Sequence, residues 1–383
     1  MQQAQQTLSQ TVTRNFVKSL TLSHFRNYLS ARIECGENSI VLVGPNGAGK
    51  TNILEAISLL TPGRGLRRAK LSEIDSMHAR APWAVASELY GAQGTVSVGT
   101  GRNPEDNESA DKRIVKIEGK ISRGQTELSR VFAALWLTPQ MDNLFIDGGT
   151  ARRKFLDRLI YSFDADHASR LNAYESAMRE RNRLLQTGNA DALWLSALEQ
   201  KMAEQGVAIA VARQHGVEGL NNAVQLSEHS FPKVQITLSG LVEIALIHGS
   251  ALMAEEKFRE TLEAGRGQDA AAGRTLSGIH RSEMEVLHVE KNMPAEHCST
   301  GEQKALLVSI ILAQARAGAA WHGSVPVLLL DELVTHLDLT RRTELFAELA
   351  SINAQCWLTG TDAEIFAGFN GRILKVEKGS IST

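Results

Sequence analysis

Gly44-Pro45-Asn46-Gly47-Ala48-Gly49-Lys50-Thr51 decides the reading of this chain. An apolar run, Ser39-Ile40-Val41-Leu42-Val43, leads into it, and Thr51-Asn52-Ile53-Leu54-Glu55-Ala56-Ile57 carries a helical pattern away from it. Strand, glycine loop and helix in that order let backbone N–H groups turn inward, while the helix N-terminus adds partial positive charge. The result is a cradle for phosphate oxygens. Lys50 then reaches the β- and γ-phosphates of a nucleotide, and the Thr51 hydroxyl becomes a ligand for Mg²⁺.

A second acidic element lies far downstream. Val327-Leu328-Leu329-Leu330 runs into Asp331-Glu332, a buried strand ending in two acids. Alone, such a pattern marks many strand edges. Paired with the glycine loop, it reads as a magnesium-holding Asp331 beside Glu332, a base that polarises the attacking water. Between the two, Ser299-Thr300-Gly301-Glu302-Gln303 opens a helix expected over Lys304 to Arg316. A hydroxyl and free N–H groups at a helix start suit an anion, and equally suit a plain N-cap. Leu333 to Asp338 follows the acids, and Cys356-Trp357-Leu358-Thr359 reads as one more strand.

Around these motifs the chain changes character twice. Strands are expected at Phe16 to Leu22, Ala31 to Glu34, Ala84 to Tyr90, Thr95 to Thr100 and Arg113 to Ile121, the last three in antiparallel pairs. Gly101 to Asp111 has the polar composition of a hairpin loop. From Thr150 to Leu226 the period is helical, with Phe155, Leu159 and Phe163, then Leu171, Tyr174 and Met178, on helix faces. A break at Asn182, Thr187 and Gly188 precedes two expected helices, Asp191 to Gly206 and Val207 to Leu226. A strand at Val234 to Leu238, a helix at Ala254 to Ala264 and a Gly/Ala-rich linker at Gly265 to Gly273 follow. The expected division is a tail at 1–13, an ATPase lobe at 14–130, a helical arm lobe at 131–272, and the rest of the ATPase lobe at 273–383.

Composition narrows the classes. No apolar run is long enough to span a bilayer, and no secretory leader is visible. Cys35, Cys298 and Cys356 are far apart and lack metal-ligand spacing, which fits a reducing cytosol. A net charge of −2 means that any contact with DNA depends on local basic patches. Those on offer are Arg64, Arg67, Arg68 and Lys70; Lys112 and Arg113; and Arg152, Arg153 and Lys154; each also reads as a solvated face. Aromatic residues make up 5%, too few for a platform on which single strands stack, so duplex DNA is the better match.

The ordered set of P-loop, Ser-x-Gly-Glu-Gln signature, Asp-Glu and Leu337-Asp338 resembles an ABC-type ATPase head, an α/β fold with a mixed sheet, flanking helices and an antiparallel β subdomain. The long insertion before the signature resembles the SMC-like branch. Within that branch the chain is similar to the RecF family of bacterial DNA-gap repair over nearly its whole length. Leu20 to Tyr28 carries the family's F-R-N-Y, and Gly63 to Arg68 its Arg-containing loop. Leu137 to Gln140 with Arg152 to Asp157, Arg179 to Leu185, and Gly278-Ile279-His280-Arg281 match further family segments. Departures are Ile279 for a usual proline, Gln140 where the family often has Glu, and Thr359 and Thr361 where a switch histidine could stand.

The resemblance implies a dimer that sandwiches two ATP molecules and Mg²⁺. Gly44 to Thr51 of one copy would face Ser299, Gly301 and Gln303 of the other, with Asp338 nearby. Glu332, Lys50 and Gln140 would be catalytic, and Thr51, Asp331 and Gln140 would lie around the metal. It also implies weak ATP hydrolysis, binding of duplex and gapped DNA through Arg64, Arg67, Arg68, Lys70, Arg152 and Arg153, and a partnership with RecR that leads to RecA loading on gaps covered by single-strand-binding protein. A transporter ATPase would carry its signature closer to the P-loop. A structural SMC or Rad-type head would need long heptad arms that this chain lacks room for, and a regulatory P-loop protein unrelated to DNA is the third alternative.

Overall fold

The computed structural model describes residues 13–76, 81–91, 93–103, 112–161, 164–188, 191–227, 231–322 and 324–383. It divides into two compact units, one formed by 1–139 with 314–383, the other by 140–313.

In the first unit, a six-stranded sheet runs Ser380–Ser382, Arg372–Glu377, Ile40–Val43, Cys356–Gly360, Val327–Leu330, Ala134–Leu137. All neighbours are parallel except the outermost pair. The central strands Ile40–Val43, Cys356–Gly360 and Val327–Leu330 are buried throughout, which explains sequences that are apolar except for Thr359 and Gly360. Register puts Val43 beside Gly360 and Leu330 beside both Leu358 and Leu137. The residues that follow these strands therefore emerge at one edge, where α/β sheets hold ligands.

A second, antiparallel six-stranded sheet contains Tyr28–Glu34, Phe16–Phe25, Ala84–Gly91, Gly94–Arg102, Arg113–Ile117 and Lys120–Ile121. Ala84–Gly91 alternates exposed and buried residues without exception, the pattern of a sheet with one solvated face. The antiparallel pairing expected here is present. Of the expected hairpin loop, Gly101 and Arg102 extend the strand Gly94–Arg102, and 104–111 lie outside the described residues. Thr13, assigned to the tail, pairs with Ser324 in a short parallel bridge; residues 1–12 are outside the described residues, as is Phe163.

The second unit is mainly helical. Gly149–Ile160, His167–Thr187, Ala192–Gln225, Leu241–His248, Ala251–Ala264 and Arg266–Ala272 surround a core of Tyr174, Met202, Val207, Phe258, Leu262 and Ile279. A small antiparallel sheet of Val234–Ser239, Glu283–His288 and Met293–Pro294 completes it. Among the described residues no helix is long and apolar enough to cross a membrane.

Three expectations for this unit are corrected. The two helices expected across Asp191 to Leu226 are one helix of 34 residues, about 51 Å long. Gly206 does not break it; a Cβ there would lie 2.8 Å from the Phe258 ring, so the glycine admits a neighbour. The supposed linker at Gly265 to Gly273 is mostly helix, because Asp269 turns inward and its Oδ2 accepts from Arg181 Nη1 at 2.7 Å. Asn182 likewise sits within a helix, which ends at Thr187 with Gly188 at φ 72°. The expected lobe boundaries also move. Residues 131–139 supply a strand to the first unit's sheet, and 273–313, signature included, belong to the helical unit. Burial of Ala134–Leu137 at the edge of the sheet, beside Val327–Leu330, and of Ile279 among helices overrides sequence proximity.

Candidate nucleotide-binding site

The glycine loop joins the strand Ile40–Val43 to the helix Lys50–Ser58. Gly44 sits at φ 153°, and a Cβ there would come 2.1 Å from the Val376 carbonyl oxygen, so only glycine lets the loop leave the sheet here. Gly49, at φ 117°, packs against Asn27 and Tyr28, and a Cβ would meet Asn27 Nδ2 at 2.5 Å.

A second layer braces the loop from behind. Asn27 Nδ2 donates to Ala48 O at 2.8 Å, and Tyr28 OH donates to Gly49 O at 3.1 Å. Asn52 Nδ2 reaches Asn27 Oδ1 at 2.7 Å. Buried Glu55 receives a bidentate Arg26 fork at 2.9 and 2.6 Å, and Arg67 Nη1 joins both Glu55 (3.3 Å) and Asn52 Oδ1 (2.6 Å). The Arg26-Asn27-Tyr28 run was legible as a family segment; its bracing role was not, because its partners lie across the fold.

Inside the loop Lys50 is buried and donates to the carbonyls of Gly44 (2.6 Å) and Pro45 (3.0 Å). Burial pushes its ammonium pKa down, and the nearby Glu332 and Asp331 carboxylates push it back up. Thr51 Oγ1 donates toward both Asp331 oxygens, at 3.0 and 3.1 Å, and Thr359 Oγ1 donates to Asp331 Oδ1 at 2.8 Å. Burial raises the Asp331 carboxyl above the usual range, against the pull of the Thr359 and Thr51 hydrogen bonds. Glu332 takes φ 51°, a left-handed conformation rare for a side chain of this kind, and its N–H donates to Thr359 Oγ1 at 2.8 Å.

These donors fit a magnesium ion. A hydroxyl and a carboxylate are hard oxygen ligands, and Mg²⁺ takes few protein ligands besides phosphate and water. Among the described residues no cluster of three His, Cys, Asp or Glu could hold a metal without such help.

The other expected residues fare unequally. Gln140, Ser299, Gly301 and Gln303 belong to the helical unit. Gln140 is exposed on a one-turn helix, Pro139–Met141. Ser299 and Gly301 are exposed at the start of the helix Thr300–His322. Both the N–H and the Oγ of Ser299 donate to Glu302 Oε2 at 2.8 Å, and Lys291 pairs with the same carboxylate. Gln303 departs from expectation. It is buried, and its amide donates to Cys298 O at 2.9 Å, which closes the preceding turn instead of facing a ligand. Asp338 caps the helix Leu339–Ile352 by accepting from Arg341 N–H at 2.9 Å.

Several basic residues are also corrected. Arg152 pairs with Glu283 at 2.7 Å and donates to Phe145 O and Asp147 O, while Arg153 donates to Ser282 O and Thr150 Oγ1. Their guanidinium donors hold the helical unit together. Arg113 donates to the carbonyls of Leu59, Thr61 and Gly63 at the end of the P-loop helix, and burial lowers its pKa to about 9. Arg64, Arg68 and Lys70 remain exposed.

Comparison with known proteins accounts for this arrangement. The model of the RecF/RecN/SMC N-terminal domain family matches residues 16–379. The DNA replication and repair protein RecF of Mesorhizobium japonicum is 46% identical over 369 residues, 95% of this chain and 97% of its own length. The chain belongs to the RecF family. In fold it is similar to the solved recombination mediator protein RecF-ATPrS of the RecFOR pathway, with a TM-score of 0.84 at 24% identity over 96% of this chain and 98% of that one. It also resembles a Pyrococcus furiosus Smc head domain bound to the C-terminal domain of ScpA, at a TM-score of 0.53 and 15% identity over 96% and 95% of the two chains. The RecF family thus shares its ATPase-head architecture with SMC heads, and this chain has that architecture.

Proposed function

We propose that this chain is an ATP-driven DNA clamp of recombinational repair. Two copies close on duplex DNA beside a single-stranded gap when each binds ATP, and slow hydrolysis lets them open. The observation that carries the ATPase reading is the convergence of Lys50, Thr51, Asp331, Glu332 and Thr359 at one sheet edge. Membership of a family whose curated members are named for DNA replication and repair supports the rest.

In this reading the amides of Gly44 to Thr51 bind the phosphates and Lys50 exchanges its loop carbonyls for phosphate oxygens. Thr51 and Asp331 hold Mg²⁺, which when bound neutralises charge on the phosphates. Glu332 takes the proton of the attacking water. Ser299 and Gly301 of the second copy approach the same nucleotide, and Ser299 Oγ exchanges Glu302 for a phosphate oxygen. ATP favours the closed dimer only through its higher affinity for that state. Arg64, Arg68 and Lys70 contact phosphates of the duplex, so binding is independent of sequence and sensitive to salt. RecR, and through it RecA on gaps coated with single-strand-binding protein, are the partners in the cytoplasm.

Light scattering with and without ATP, beside binding of gapped duplex at two salt concentrations, tests this. ATP-dependent dimers that bind the gapped duplex, more weakly at the higher salt, are expected. A monomer under saturating Mg²⁺-ATP, or no DNA association at low salt, would overturn it.

A further inference from the structure

Thr359 stands at the end of the strand Cys356–Gly360, one residue past Leu358, which pairs with Leu330. That register sets it level with Asp331. Its side chain is fully buried, while Thr361, the other threonine of the segment, is exposed. The Thr359 hydroxyl has one proton and two lone pairs. The proton goes to Asp331 Oδ1 at 2.8 Å, and a lone pair accepts the Glu332 N–H at 2.8 Å. The adjoining Gly360 carbonyl accepts the N–H of Gly44 at 3.3 Å, so the same strand end also touches the glycine loop.

Glu332 needs such a hold. A non-glycine residue at φ 51° is strained and persists only where its surroundings impose it. The backbone N–H that Thr359 captures belongs to this residue. Without the hydroxyl, the buried Asp331 carboxylate and the half-buried Glu332 N–H lose a partner together, and the constraint on the Glu332 backbone goes with them.

We propose that Thr359 is a positioning residue whose hydroxyl joins the metal-side carboxylate Asp331 to the backbone of Glu332 and so aims the Glu332 side chain at the attacking water. It works from behind the site and does not touch the γ-phosphate, since none of its surface is open to a ligand. This rests on the ATPase reading above and adds to it the residue that orients the base.

The test compares Thr359→Val with Thr359→Ser in the full chain. ATP affinity is measured with and without Mg²⁺, kcat and KM at steady state, and thermal melting without nucleotide. Thr359→Val should lower kcat about tenfold or more, with ATP affinity and KM within about twofold of wild type, because misorientation of the base affects only the reacting state. Thr359→Ser should restore kcat to within about twofold. Unchanged kcat in Thr359→Val, a serine variant as slow as the valine one, or ATP affinity lost in parallel with kcat would each overturn the proposal. Should Thr359→Val melt too low to assay, Thr359→Ala takes its place under the same criteria. Glu332→Gln run alongside separates the two levels. If it hydrolyses ATP at the wild-type rate, the reading beneath this proposal fails. If it is inactive while Thr359→Val is normal, the positioning role alone fails.

Discussion

Asp157 and Asp331 are both buried aspartates, and their surroundings treat them in opposite ways. Asp157, in the helical unit, accepts both arms of Arg213 at 2.8 and 2.9 Å, and His167 Nε2 lies 2.9 Å from the same carboxylate. Burial pushes its carboxyl up, but the Arg213 charge and the hydrogen bonds from His167 and Arg213 overcome that and hold it at about 2. Asp331 meets two hydroxyls, no ion pair joins it among the described residues, and burial leaves its carboxyl raised. The helical unit repeats its pattern elsewhere. Arg181 and Arg266 meet Glu199 and Asp269 in a quartet of two cations and two anions, with Arg181 fully buried. The buried charges of the helical unit are closed on one another, whereas Asp331 is met by hydroxyls alone.

The sharpest way to break this comparison is to remove a charge from each region. Arg213→Ala strands Asp157 without its counter-ion and should destabilise the protein by about 3–5 kcal/mol in urea unfolding. Asp331→Asn removes a charge that the fold disfavours, so unfolding without nucleotide should hold steady or shift slightly upward. Equal losses in the two variants would abolish the distinction.

Next in size is the effect on chemistry. Glu332→Gln should slow ATP turnover about 10²-fold or more while ATP still binds and the dimer persists longer, read by single-turnover hydrolysis and light scattering. A monomeric variant in saturating ATP would contradict the role assigned to Glu332.

Acid sharpens the contrast further. Because the Asp157 carboxyl is depressed when folded, its contribution of about 2 kcal/mol is complete above about pH 4 and disappears as pH falls toward 2. Asp331, raised when folded, works the other way: its ionisation opposes folding as pH rises through its raised value. The acid limb of a stability curve should therefore flatten in Arg213→Ala and steepen slightly in Asp331→Asn, which removes the opposing ionisation. The smallest effect belongs to the exposed basic loop. Arg68→Ala should weaken duplex binding modestly and lower the salt slope by about 1, without altering ATP affinity.

The nucleotide corner was the most legible part of the sequence. Gly44 to Thr51 is contiguous, and its geometry follows from backbone freedom at the glycines and the start of one helix. Asp331-Glu332 was legible because a fully buried strand must be apolar up to its end. Basic clusters misled, since a sequence shows the charge of Arg152, Arg153 and Arg113 but not that Glu283 and several backbone carbonyls accept their donors. Gly206 misled for a similar reason: it resembles a helix terminator until Phe258, distant in sequence, comes to lie against it.

By itself the sequence determined the phosphate-binding loop, the acidic strand end and the family, because each is written in neighbouring residues whose local geometry is short-ranged. Only the tertiary structure decided which partner each charged or hydroxyl group found. Thr51 reaches Asp331 across 280 residues, and Arg152 reaches Glu283 across 131. Such pairings depend on which strands become neighbours and in what register, a choice made by burial of the whole core and not by any local segment.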